Sequence, residues 1–150
     1  DLERNVRLNP HLKIIPHAVA LSDSAQIRPL YLGLEKNTGV SGFHPLWNDA
    51  SVPVRCVKGD DWIRFGHVPA PSLLKIDVEG AEEDVLRGLA QTLKQKPPKA
   101  IVVEGHRDET GRPLSHALRH CLESFGFPSQ LLDYADFRQT VNFLATPEQT

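Results

Sequence analysis

Residues Leu73 to Gly88 read LLKIDVEGAEEDVLRG, and the fold turns on them. The first part, Leu73 to Val78, is a nearly continuous apolar run, which predicts a strand buried on both faces. Asp77 interrupts it, and a carboxylate in such a strand needs a partner that offsets its desolvation. Gly80 provides a turn. Beyond it Ala81, Val85, Leu89 and Leu93 recur every four residues, with Leu86 and Ala90 beside them. That spacing predicts one amphipathic helix, stopped by Pro97-Pro98. Glu82, Glu83 and Asp84 fall in its first turn, where acid answers the positive end of the helix dipole.

Working outward, Lys99 to Glu104 (KAIVVE) predicts a second buried strand. A helix follows, with Leu114, Ala117, Leu118, Cys121, Leu122 and Phe125 on one stripe and Gly126 as its cap. Gln130 to Tyr134 and Thr140 to Ala145 predict a closing antiparallel hairpin that adds a strand at an edge. Upstream, a helix carrying Leu2, Val6 and Leu8 on one side ends at Asn9-Pro10. Lys13 to Leu21 (KIIPHAVAL) is a β-rich run, and Ile27 to Leu34 is a strand whose Pro29 suits an edge. Glu35 to Pro53 is loop-like, Val54 to Val57 alternates briefly, and KGDDW turns the chain into a short helical piece. Strands alternating with helices make this an α/β chain with a mostly parallel sheet and helices on both faces.

Composition narrows the function. The 150 residues make one domain, and 40% hydrophobic with 24% charged residues is ordinary for a globular chain. A formal charge of −2 predicts neither nucleic-acid nor membrane attraction. No apolar stretch approaches the ~20 residues that span a bilayer. Of the two cysteines, Cys56 and Cys121, the second sits in an apolar helical register, which predicts reduced thiols and a cytoplasmic setting. The chain has no methionine and opens in what reads as mid-helix, which predicts an N-terminally incomplete domain.

In open α/β sheets, ligands bind beyond the carboxyl ends of the strands. Three such ends are polar here: Ser22-Asp23, Asp77-Val78-Glu79-Gly80, and Glu104-Gly105-His106. If the last two strands are neighbours, ~5 Å apart, Asp77, Glu79, Glu104 and His106 converge. Carboxylates and an imidazole can take a proton from a hydroxyl, and the acids equally suit a divalent metal. His116 and His120, at i and i+4 with Glu123 nearby, have metal-binding spacing but lie opposite the apolar stripe, so a solvated face is expected. His44, with Phe43 and Trp47, sits in a loop of the kind that supplies lids and substrate contacts.

KIDVEGAEEDVLRGL resembles the hallmark segment of the FkbM-type methyltransferases, S-adenosyl-L-methionine-dependent enzymes of the class I, Rossmann-like fold. RNVRLNP followed by IIPHAVALSDS resembles the helix and third strand of that family. YLGLEKNTGVSGFH resembles its glycine- and serine-bearing loop, VRCVKGDDWI the segment before the fourth strand, and AIVVEGH the fifth strand. The likeness runs from about Arg4 to Leu144, with Lys75 to Glu82 its most specific part. It implies that residues 1–150 are the C-terminal portion of a class I fold. It also implies methyl transfer to a hydroxyl of a sugar, polyketide or other small metabolite. Ser22 and Asp23 would lie at the adenine end of the cofactor, Asp77 and Glu79 near the methyl group and acceptor, and Glu104 and His106 on the neighbouring strand. His106 or Asp77 would be the base, or a divalent metal would assist.

The family's glycine-rich turn and second-strand acid have no counterpart, since no glycine precedes Gly33 and no G-x-G occurs. Both are expected upstream of Asp1, or else the chain completes itself as a homo-oligomer. Two other readings stay open. One is a metal-dependent hydrolase or phosphotransferase built on Asp77, Glu79 and Glu104. The other is a non-catalytic module that kept the fold.

Overall fold

The structure, a computed structural model, describes residues 2–33, 41–43, 50–106, 116–132 and 140–148. Its elements are α1 (Leu2–Leu8), β1 (Ala20–Ser22), β2 (Gln26–Tyr31), β3 (Ser51–Lys58) and α2 (Gly59–Arg64). They continue with β4 (Leu73–Ile76), α3 (Glu82–Gly88), α4 (Ala90–Gln95), β5 (Ala100–His106), α5 (His116–Ser124), β6 (Ser129–Leu131) and β7 (Thr140–Ala145). His44, Trp47 and Leu114 lie outside the described residues, as do parts of the Glu35–Pro53 loop and of the segment joining β6 to β7.

The strands form two sheets, ordered β1-β3-β2 and β4-β5-β7-β6. β1 runs parallel to β3 and β4 parallel to β5, while β2–β3, β5–β7 and β6–β7 are antiparallel. The helix between β4 and β5 makes that pair a βαβ unit, the parallel connection anticipated from KIDVEG onward. β2 is an edge strand, so its Pro29 is tolerated there. The closing strands pair antiparallel as expected, but β7 lies inside its sheet and β6 takes the edge.

The core lies where α3, α4 and α5 cover the larger sheet. Ile76, Leu86, Ile101, Leu122, Phe127 and Phe143 are almost completely buried in it. Each such side chain contributes roughly 1.5–3 kcal/mol by leaving water. α3 also rests on β1, tying the two sheets together. Gly88 is the contact point, and a Cβ there would collide with the Ser22 carbonyl. A second tie is Arg28, whose Nη1 stands 3.2 Å from Asp84 Oδ2 while its guanidinium lies 4.1 Å from the Phe43 ring centre.

Four sequence expectations need correction. β4 is not buried on both faces: Leu73 is 64% exposed and Lys75 faces solvent, because β4 is the edge of its sheet among the described residues. Residues 13–19 form no strand. Pro16 lacks an N–H, and β3 pairs only with Ala20 to Ser22 of this run. α1 buries none of its residues, so its apolar side has no partner among the described residues.

Finally, the single helix predicted after Gly80 breaks at Leu89, whose φ of −104° and ψ of 11° end α3 and begin α4. The break has a distant cause. Asp60, from α2, accepts hydrogen bonds from the backbone N–H of Gln91 and Thr92 at 2.8 and 2.9 Å, and from Thr92 Oγ1 at 2.7 Å. It therefore caps α4 from outside, satisfying donors that a new helix start leaves open. Asp60→Ala is expected to lower stability by about 1–2 kcal/mol. Chemical denaturation would show this as a shifted midpoint with an unchanged slope.

Candidate functional site

β4 and β5 are neighbours, as the sequence reading required, and their carboxyl ends point the same way. Their ladder ends at Ile76 with Val103, so Asp77 and Glu104 occupy the next opposed positions. Glu104 in turn faces Asn142 on β7, giving a polar row across three strands. Like charges directly opposite one another destabilise a sheet. Here Lys75 answers them. It lies two residues before Asp77, on the same side of the strand. Its Nζ stands 3.1 Å from Asp77 Oδ2 and 3.7 Å from Glu104 Oε2. Asp77 is 49% exposed and Lys75 46%, so the buried carboxylate inferred from the apolar run is in fact half open to solvent.

The turn that follows is tight. Glu79 has a φ of 49°, unusual for a residue with a side chain, and Gly80 has a φ of 91°. Glu82 is buried and accepts a hydrogen bond from the Gly80 N–H at 3.1 Å, closing the turn onto the first turn of α3. The other acids of that turn also have partners: Glu83 pairs with Arg87 at 2.6 Å and Asp84 with Arg28. They serve the helix and its packing. Gly42, from the loop after β2, packs against the Glu79 carbonyl, where an added Cβ would lie only 3.1 Å away.

The remaining candidates are more dispersed. Ser22 is completely buried at the end of β1, while Asp23 beside it is exposed and accepts a hydrogen bond from Ser24 Oγ at 2.8 Å. The backbone of His106 pairs with Thr140, and its side chain lies outside the described residues. His116 and His120 are exposed, as a solvated face requires. Among the described residues no group of three His, Cys, Asp or Glu side chains could hold a metal ion. Burial pushes both the Cys56 and the Cys121 thiol up, so neither is poised as a nucleophile.

Two cavities open between β1 and β4. The one beside the carboxylates measures about 440 Å³ and is lined by Leu21, Ser41, Phe43, Lys75, Asp77 and Val78, among others. The other, about 320 Å³, is walled by Val68, Pro69 and Pro71 with His17 and Trp62, and carries no carboxylate. Leu21 and Leu74 border both, so they are two parts of one groove between two strand edges that are unpaired among the described residues. Sequence reasoning missed Lys75. Its cue was the i, i+2 spacing to Asp77, which on a strand places both on one face.

An α/β chain in which Asp77, just past a strand end, lines a groove fits the placement of ligand sites in Rossmann-like folds. The Methyltransferase FkbM domain matches residues 4–129, and the chain belongs to the FkbM methyltransferase family. It is similar to the hexuronic acid methyltransferase AglP of Haloferax volcanii, with 31% identity over 52% of this chain and 36% of that protein. Its fold is similar to the crystal structure of methyltransferase FkbM from Methylobacillus flagellatus KT. That likeness has a TM-score of 0.61 and 15% identity, and covers 96% of this chain and 32% of the other. The chain thus spans about a third of the length of each. No helix among the described residues is long and apolar enough to cross a membrane.

Proposed function

We propose that this chain is the acceptor-side part of an S-adenosyl-L-methionine-dependent O-methyltransferase acting on a hydroxyl of a sugar or similar small metabolite. The observation that carries the reading is the Lys75–Asp77–Glu104 cluster toward the carboxyl ends of two parallel strands, of which Lys75 and Asp77 line a cavity of about 440 Å³. That volume is in the range of small-molecule sites. Family membership supports methyl transfer, and the hexuronic acid methyltransferase supports a carbohydrate acceptor.

S-adenosylmethionine supplies an electrophilic methyl group when bound. The donor set fits it: one ammonium against two carboxylates leaves the cluster negative, which favours a sulfonium nearby. Asp23, exposed at the end of β1, would hold the adenosine side, with Ser22 acting through it. Asp77 would serve the reacting centre. Its Oδ2 faces Lys75, and Oδ1 would take the proton from the acceptor hydroxyl. Glu104 and His106 would orient the acceptor from the neighbouring strand, and Glu79 would shape the turn beneath it. Alignment of acceptor and methyl supplies most of the acceleration. The edges of β1 and β4, unpaired among the described residues, would receive the family's glycine-bearing strand.

The test is an acceptor screen with the protein extended upstream of Asp1, offering hexuronic acids, neutral sugars and polyketide alcohols. Formation of a methyl ether together with S-adenosylhomocysteine supports the proposal. Turnover of phosphate esters that needs Mg²⁺ and ignores S-adenosylmethionine would overturn it in favour of hydrolysis or phosphoryl transfer.

A further inference from the structure

Clustered strand-end carboxylates would suit a divalent cation, but the arrangement here does not fit one. We propose that Lys75 is the built-in cation of this site, a positioning residue that clamps Asp77 and Glu104 together where a metal would otherwise be needed. Asp77 and Glu104 occupy facing positions on adjacent strands, where two carboxylates repel each other. Positive charge near both relieves that repulsion, and two kinds can supply it: a bound ion or a side chain. Lys75 supplies the second, with its ammonium 3.1 Å from one carboxylate and 3.7 Å from the other.

A divalent ion bridging the pair would sit about 2.0–2.6 Å from carboxylate oxygens. It would then place two positive charges beside an ammonium that already holds both acids. Nor does any third His, Cys, Asp or Glu side chain among the described residues join them in a group that could hold a metal ion. Glu82, Glu83 and Asp84 are engaged by the Gly80 N–H, Arg87 and Arg28. Lys75 is therefore more than a charge partner. It sets the separation and orientation of the two acids, and its removal leaves them as oxygen ligands without a cation.

This inference rests on the placement of the site at Asp77 and Glu104, but its test does not rest on methyl transfer. Mn²⁺ binding to the chain is followed by the loss of the free-ion electron paramagnetic resonance signal. The proteins compared are wild type, Asp77→Asn, Lys75→Ala, Lys75→Arg and Lys75→Ala combined with Asp77→Asn, each checked for folding by circular dichroism. Lys75→Ala is expected to bind Mn²⁺ about tenfold or more tightly than wild type, since it loses a competing charge within ~4 Å. Lys75→Arg should stay with wild type, and the double variant should lose the gain. Two results would overturn the proposal: saturable Mn²⁺ binding by wild type that Asp77→Asn abolishes, or no gain in Lys75→Ala. Failure of the acceptor screen with this Mn²⁺ pattern intact would count against the proposed reaction and leave the role of Lys75 standing.

Discussion

Asp77→Asn, introduced into the upstream-extended protein with an acceptor it methylates, is expected to lower kcat by about 10²–10⁴-fold. The substitution keeps the shape of the side chain and removes its capacity to take a proton. Because Asp77 is half exposed and pairs with Lys75 at the surface, the fold should survive with a stability change of at most about 1 kcal/mol. KM for the acceptor should move much less than kcat, since the lost interaction belongs to the transition state. Steady-state kinetics beside thermal denaturation separates the two effects. Wild-type turnover by this variant would remove Asp77 from the reaction and return the base to His106 or to another group.

Gly88→Ala carries the largest structural effect. Gly88 closes α3 against β1, and a methyl group there would meet the Ser22 carbonyl and carbon, both of them backbone atoms with no rotamer to relax. Overpacking of this kind costs roughly 1–3 kcal/mol. For a chain of this size it lowers Tm by about 2–4 °C per kcal/mol. Gly59→Ala is the informative control. Its Cβ would meet the Leu89 side chain at Cδ2 and Cγ, with the nearest backbone atom, the Gly88 carbonyl, at an ordinary contact distance of 3.6 Å, so a smaller loss is expected than from a collision with backbone. If Gly88→Ala melted with wild type, α3 would not rest on β1, and the link between the two sheets would have to be sought in Arg28 and Asp84 instead.

What local spacing encodes was legible. The apolar run LLKIDV, the four-residue recurrence from Ala81 and the alternation of strands with helices pointed to β4, the helical segment and β5, and with them the βαβ unit that brings Asp77 beside Glu104. The resemblance in KIDVEGAEEDVLRGL named the family that residues 4–129 match. What depends on distant partners was not legible. The break at Leu89 follows from Asp60, some thirty residues away, whose carboxylate captures the first N–H groups of α4. The exposed face of β4 follows from its edge position, which a run of apolar residues cannot report.

Lys75 was overlooked for a related reason. In an apolar run it reads as an interruption, and only the strand register shows that it stands beside two acids. Arg28 gave no signal at all, since its partners Asp84 and Phe43 come from separate parts of the chain. Pattern recognised the elements and the acids that end them. The cations that hold those acids in place came only with the fold.

The most direct measurement is calorimetric titration of S-adenosylhomocysteine into this chain and, in parallel, into the protein extended upstream of Asp1. On the proposed function, binding is expected from the extended form, with a weak response or none from this chain, in which no glycine precedes Gly33. Absence of binding by both forms would contradict the central claim that these strand ends belong to a methyltransferase site.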